Sequence, residues 1–214
     1  MIKRIYFFSA FIFTSLLFSF SLNAQSIDST FYNNGALRSF GALYNGDKVG
    51  EWIMYFPSGA KNVVEHYQKG QLHDSVVYYY PSGTIKAKEF WQYGQLQDSS
   101  MYFYPNGQLE KNGNYLDSQY HGKWLFYFNN GELRQIGNYK EGLPHGYWKF
   151  YNEQGILIQE GSYLNGLESG KWKYYDEQGR KTYEGNFDEG KKVGSWYYFN
   201  MRGKKIKVSL KDIE

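Results

Sequence analysis

A glycine recurs every 24 residues along most of this chain: Gly35, Gly59, Gly83, Gly107, Gly131, Gly155, Gly179 and Gly203, with no position missed. A fixed period of this length means one supersecondary unit repeated, each copy burying its apolar side against the next. The unit is plainest from Gly122 to Gly146, GKWLFYFNNGELRQIGNYKEGLPHG, after which it begins again.

Counted from the periodic glycine, position −7 holds Trp52, Trp124, Trp148, Trp172 and Trp196, with Val76 and Ser100 in the two remaining units. Position −4 is always aromatic and includes Tyr127, Tyr151 and Tyr175, while position +8 includes Tyr139 and Tyr163. These residues are the expected core of the repeat. Positions −7 and −4 have opposite strand parity, so both faces of a sheet would carry rings. The turns have a mechanism. Pro57-Ser58-Gly59, Pro81-Ser82-Gly83 and Pro105-Asn106-Gly107 put Pro where a type I turn wants it and Gly at the left-handed position of a bulged three-residue hairpin.

Another glycine series, Gly41, Gly113, Gly137, Gly161 and Gly185, falls inside the returning strand. Glycine weakens a strand, so its recurrence predicts a ring packed closely over bare backbone. Glu65 and Glu89 take this place in the two units that lack Trp, as expected if Gly and Trp are packing partners. A further glycine closes each hairpin-to-hairpin link, as at Gly46, Gly70 and Gly142, with Ser118 the exception. The expected fold is all-β: an elongated antiparallel array of tandem β-hairpins in a single twisted sheet, with repeats over residues 31–203 and a capping strand in residues 204–214.

Residues 1–24 differ from the rest. A basic start, Lys3-Arg4, precedes an apolar run from Ile5 to Leu22 and a small residue, Ala24. This is the layout of a secretory signal peptide, with cleavage near Ala24 and residues 25–30 as a linker. The expected location is therefore periplasmic or secreted. An uncleaved anchor is the rival reading. The chain has no cysteine, which excludes disulfides, thiolate metal sites and cysteine nucleophiles. Loss of Lys3 and Arg4 would leave 22 basic against 21 acidic residues, a net charge of +1 and no field to attract nucleic acid.

The pattern Gly122-x-Trp124-x-x-Tyr127-x-x-x-Gly131-x-Leu133-x-x-x-Gly137-x-Tyr139-x-x-Gly142 resembles the MORN-repeat variant of many bacterial proteins. That resemblance implies hairpin arrays used for protein contacts and sometimes for membrane-associated scaffolding, without a shared catalytic residue. It also includes the antitoxin component of a class of toxin–antitoxin modules, which would make a toxin the partner. Val76, Ser100, Asp74, Asp98 and Ser118 depart from the pattern, mainly in the second and third units.

No constellation for catalysis emerges. His73, His121 and His145 share one phase, but successive units stand about 10 Å apart, too far for two ligands of one metal. His73-Asp74-Ser75 cannot converge as a triad, because neighbours on an extended chain point to opposite sides. Asp74-Ser75 and Asp98-Ser99 read instead as tight links that replace the usual glycine. Neither enzyme activity nor a cofactor is expected. A basic bias near the end (Lys191, Lys192, Arg202, Lys204, Lys205, Lys207 and Lys211) offers at most a weak membrane-surface patch, diluted by Asp188, Glu189 and Asp212.

The expected function is an exported, non-catalytic repeat protein that binds or scaffolds another protein, along its face or by strand addition at an edge. The alternative is an envelope glycan-binding module. Its exposed rings would be Tyr78, Tyr79, Tyr80, Trp91, Tyr102 and Tyr104, in the region where two Trp residues are missing.

Overall fold

The computed structural model describes residues 25–212; the expected signal peptide lies outside them. The first half comprises β1 (Gln25–Phe31), β2 (Leu37–Tyr44), β3 (Asp47–Tyr55), β4 (Lys61–Gln68), β5 (Gln71–Leu72), β6 (Asp74–Tyr79), β7 (Ile85–Gln92) and β8 (Gln95–Phe103). The second half comprises β9 (Leu109–Leu116), β10 (Gln119–Tyr127), β11 (Leu133–Lys140), β12 (Leu143–Tyr151), β13 (Leu157–Leu164), β14 (Leu167–Tyr175), β15 (Lys181–Asp188), β16 (Lys191–Phe199) and β17 (Lys205–Val208). Each strand pairs antiparallel with the next, except that β5 and β6 both pair with β4 as two pieces of one interrupted strand. All 17 strands form one open sheet, with β1 and β17 at its edges.

Two kinds of hairpin alternate. At the periodic glycines the loop is a type I turn closed by a left-handed glycine: Gly59 N–H donates to Phe56 O, Phe56 N–H donates to Ala60 O, and Gly59 has φ of 86°. At the intervening links both central residues have positive φ, as in Asn45-Gly46 (54°, 87°) and Glu141-Gly142 (52°, 78°). That is the type I′ turn of a two-residue hairpin, with strand partners Tyr44–Asp47 and Lys140–Leu143. The links are thus full hairpins, and the described residues form one meander. Asp117-Ser118 keeps this turn without glycine (50°, 63°).

Three expectations are corrected. Residues 25–30, expected as a linker, belong to β1 and pair with β2 from Gln25–Tyr44 to Phe31–Leu37. The C-terminal capping strand, expected over residues 204–214, is shorter: β17 ends at Val208 and a 3-10 turn follows over Leu210–Asp212. Asp74 and Asp98 do replace a glycine, but inside a strand. They hold positive φ (73°, 53°) at the phase of Gly50, Gly122 and Gly146, where the register shifts, and so form a bulge instead of a link.

The core lies on one face of the sheet. The five repeat tryptophans are at most 2% exposed, and Val63, Val76, Ala87 and Leu96 are buried in line with them. Among the described residues, the rings and strands of neighbouring units enclose them, so cohesion is local along the array.

Candidate functional site

The tryptophan face is built from pairs of units. Each indole lies flat over the glycine 11 residues earlier, so that a Cβ on Gly41, Gly113, Gly137, Gly161 or Gly185 would fall inside the ring of Trp52, Trp124, Trp148, Trp172 or Trp196. The bulge beside that glycine brings a carbonyl within reach. The Nε1–H groups of Trp52, Trp124, Trp148 and Trp172 donate to the carbonyls of Ala42 (3.0 Å), Asn114 (2.9 Å), Asn138 (3.2 Å) and Ser162 (3.1 Å). A buried indole N–H needs such a partner. The +8 ring then meets the indole edge-on, as Tyr139 meets Trp148 (5.1 Å, 81°) and Tyr163 meets Trp172 (5.0 Å, 83°). Of the expected core rings, Tyr139 and Tyr163 share this face; Tyr127, Tyr151 and Tyr175 lie half-buried on the other.

Where Trp is missing, a carboxylate and phenols fill the space. Glu89 Oε1 accepts from Tyr102 O–H (2.8 Å) and Oε2 from Trp91 Nε1–H (3.0 Å), while the Tyr102 and Tyr115 hydroxyls lie 3.1 Å apart. Burial first, then the bonds with Tyr115 and Glu89, push the Tyr102 phenol well above its ordinary range. Lys111 closes the cluster, donating to Tyr120 O–H (2.7 Å) and lying over the Tyr102 ring at 4.2 Å. In the unit before, Tyr67 O–H donates to Glu65 (2.8 Å). Beneath them Ser100 is buried at 1% exposure and its Oγ has no partner.

The six rings considered for glycan stacking do not form one platform. Tyr78, Trp91 and Tyr102 gather around Glu89 on the tryptophan face. Tyr79 faces the opposite side. Tyr80 and Tyr104 sit in bulged turns, where their hydroxyls donate to Phe103 O and Tyr127 O (2.8 Å each) in the next unit. Tyr32 does the same to Tyr55 O (2.8 Å). These inter-unit latches escaped the sequence reading. Later turns use Asn152, Asp176 and Asn200 at that position, whose side chains cap their own turn.

At the N-terminal end, Asp28 and Thr30 occupy the phases held by Trp124 and Phe126 in a later unit. A groove of about 620 Å³ opens there, lined by Asp28, Ser39, Lys48, Trp52 and Met54 among others. Lys48 lies 4.3 Å over the Trp52 ring.

The opposite face carries a single row of cross-strand neighbours that traverses the array. It runs Phe40–Ile53–Val64–Val77, passes Lys88 to Met101, and passes Asn112 to Leu125 and Ile136. It then changes character and continues Lys149–Glu160–Lys173–Glu184. Phe40 and Met101 are each 42% exposed, whereas Glu160 and Glu184 are buried. Glu160 accepts from Lys173 Nζ (2.9 Å) and Tyr175 O–H (2.7 Å). Glu184 accepts from Lys205 (2.8 Å) and Lys181 (2.9 Å), with Lys171 at 3.3 Å. Burial alone would raise both carboxyls; the hydrogen bonds and lysine charges outweigh it and hold each down at about 2. Lys205, counted in the expected basic patch, is thereby engaged. Among the described residues, no three His, Asp or Glu side chains converge as a metal-binding group.

An open meander of alternating bulged and type I′ hairpins defines a β-hairpin repeat protein. The family model for the MORN repeat variant matches residues 100–117, 120–141 and 144–165, and these are three consecutive MORN-variant repeats. The second and third matches begin just after a type I′ turn and span one bulged hairpin, in phase with the 24-residue period. No curated protein matches the sequence. Among solved structures, that of TcdB2-TccC3 without its hypervariable C-terminal region aligns over 86% of this chain at 12% identity, with a TM-score of 0.24. The TcdB2-TccC3-TEV structure aligns over 85% at 12% identity, with a TM-score of 0.19. This chain spans only 12% of the length of either.

Proposed function

We propose that this chain is an exported, non-catalytic scaffold that holds another protein against its sheet. The observation that carries this reading is the division of labour between the faces. The indoles, glycines and phenols of one face are consumed in holding units together, while the other face keeps apolar side chains half in solvent, with no layer over them among the described residues. Repeat arrays present such extended surfaces to partners. The resemblance to antitoxin repeats makes an envelope-acting toxin a candidate partner, which export through the Met1–Ala24 leader would allow the chain to meet.

The test is affinity isolation of the tagged full-length chain from the envelope fraction after cross-linking. One protein recovered in stoichiometric amount is expected. Edman sequencing of the released chain should begin at Gln25. A tryptophan fluorescence shift with soluble peptidoglycan fragments, and no protein partner, would favour the glycan reading instead. That reading has less support from Tyr78, Trp91 and Tyr102, whose polar atoms turn inward toward Glu89.

A further inference from the structure

The repeat supplies its own control for the function of the second face. From β12 onward the cross-strand row is built of lysine and glutamate, and the backbone pairing is unchanged: Trp148 opposes Gly161 in the same register as Trp52 opposes Glu65. The sheet therefore does not need apolar residues in that row. Between β2 and β11 it has them nonetheless. A parallel row on the same face adds Tyr79–Ile85, Phe103–Leu109 and Tyr127–Leu133. At the edge, Ile27 and Phe31 are 64% and 60% exposed. A half-exposed apolar row that the fold can do without marks an interaction surface.

The charges on that surface narrow the occupant. Lys88 interrupts the row between Val77 and Met101 and is exposed, and among the described residues no carboxylate lies within ion-pair distance of it. Lys173, a lysine of the same row in the charged half, is bonded to Glu160. A second copy packed face to face about an axis through this patch would set Lys88 near its own image, which is repulsive. A membrane surface calls for a cluster of basic residues, whereas this patch mixes Lys61 and Lys88 with Glu51.

We propose that the face between β2 and β11 docks a different protein, whose contact surface is apolar and places a carboxylate against Lys88. This deepens the scaffold reading and rests on it. The full-length chain carrying a benzophenone photo-cross-linker at Val77 is irradiated in its native host, the cross-linked species is identified by mass spectrometry, and its affinity for the purified chain is measured. The expected result is a heterologous protein whose binding falls at least tenfold with Lys88→Glu and recovers when the opposing carboxylate is changed to lysine. The pair Leu125→Lys with Ile136→Glu, which copies the Lys149–Glu160 pair, should abolish binding while the tryptophan emission stays native. Met101→Lys, at an exposed site, gives the same readout if that pair fails to fold. Cross-links only to a second copy, or co-sedimentation only with phosphatidylglycerol vesicles, would overturn the proposal. A partner that binds all these variants equally would overturn this surface while leaving the scaffold reading intact.

Discussion

At the scale of single residues, the contact between bare backbone and indole is the most demanding feature of the molecule. A methyl group at Gly161 would occupy the volume of the Trp172 ring, and neither strand can retreat without losing ladder hydrogen bonds. Gly161→Ala should cost about 1–3 kcal/mol by overpacking, and Trp172→Ala about 3–5 kcal/mol by cavity formation, both read from urea melts. Sequence alone exposed this pair because Gly and Trp vary together: where Trp gives way to Val76 and Ser100, Gly gives way to Glu65 and Glu89. It could not show what fills the gap. The cluster around Glu89 depends on rings from β6, β7 and β8 whose hydroxyls and indole N–H point at one carboxylate, and residue spacing carries no such direction. The exchange can be tested directly. Ser100→Trp alone should destabilise by driving an indole into Glu89, and Glu89→Gly should relieve it. A double-mutant cycle is expected to show about 1–3 kcal/mol of favourable coupling.

At the scale of hairpins and rows, the two turn types differ in what the sequence reveals. The bulged turns are signalled by Pro-x-Gly; the type I′ turns look like mere links, because Lys69-Gly70 or Tyr93-Gly94 could close many loops. Only the continuity of pairing on both sides makes them hairpins. The charged row was missed for a related reason: Glu160 and Lys173 are 13 residues apart and become neighbours only once register is known. Their chemistry predicts a pH dependence. Glu160 and Glu184 are held at about 2 in the folded protein, below the ordinary glutamate value of 4.5. Their contribution is complete above about 4.5 and is lost as pH falls through about 2, because the unfolded chain takes up the protons first. Acid titration of stability should therefore slope downward in that window, with a shallower slope in Glu160→Gln. The tyrosine latches belong to the same scale. Tyr104→Phe removes the bond to Tyr127 O and should cost about 0.5–1.5 kcal/mol without shifting any strand.

At the scale of the whole molecule, the array is a ribbon one sheet thick. With strands about 4.8 Å apart, its length is on the order of 70 Å. Every pairing joins strands that follow one another directly in the chain or, for β4 and β6, skip only the two-residue β5, so no contact depends on distant segments. Excision of residues 144–167, one full period, should leave a folded protein with a smaller urea m-value and a correspondingly shorter scattering profile. The period made this architecture readable from the start, whereas the unequal faces were not readable, since positions −6 and +5 show no conserved residue type from unit to unit.

The stretch in which carboxylates stand in for indoles has a mechanical corollary. A strip fastened by flat ring-on-backbone seams along most of its length, but by acid–phenol hydrogen bonds between β4 and β9, is unevenly stiff. When such a strip is bent against a curved body, the curvature gathers at its most compliant segment, and here that segment lies directly behind the patch centred on Lys88.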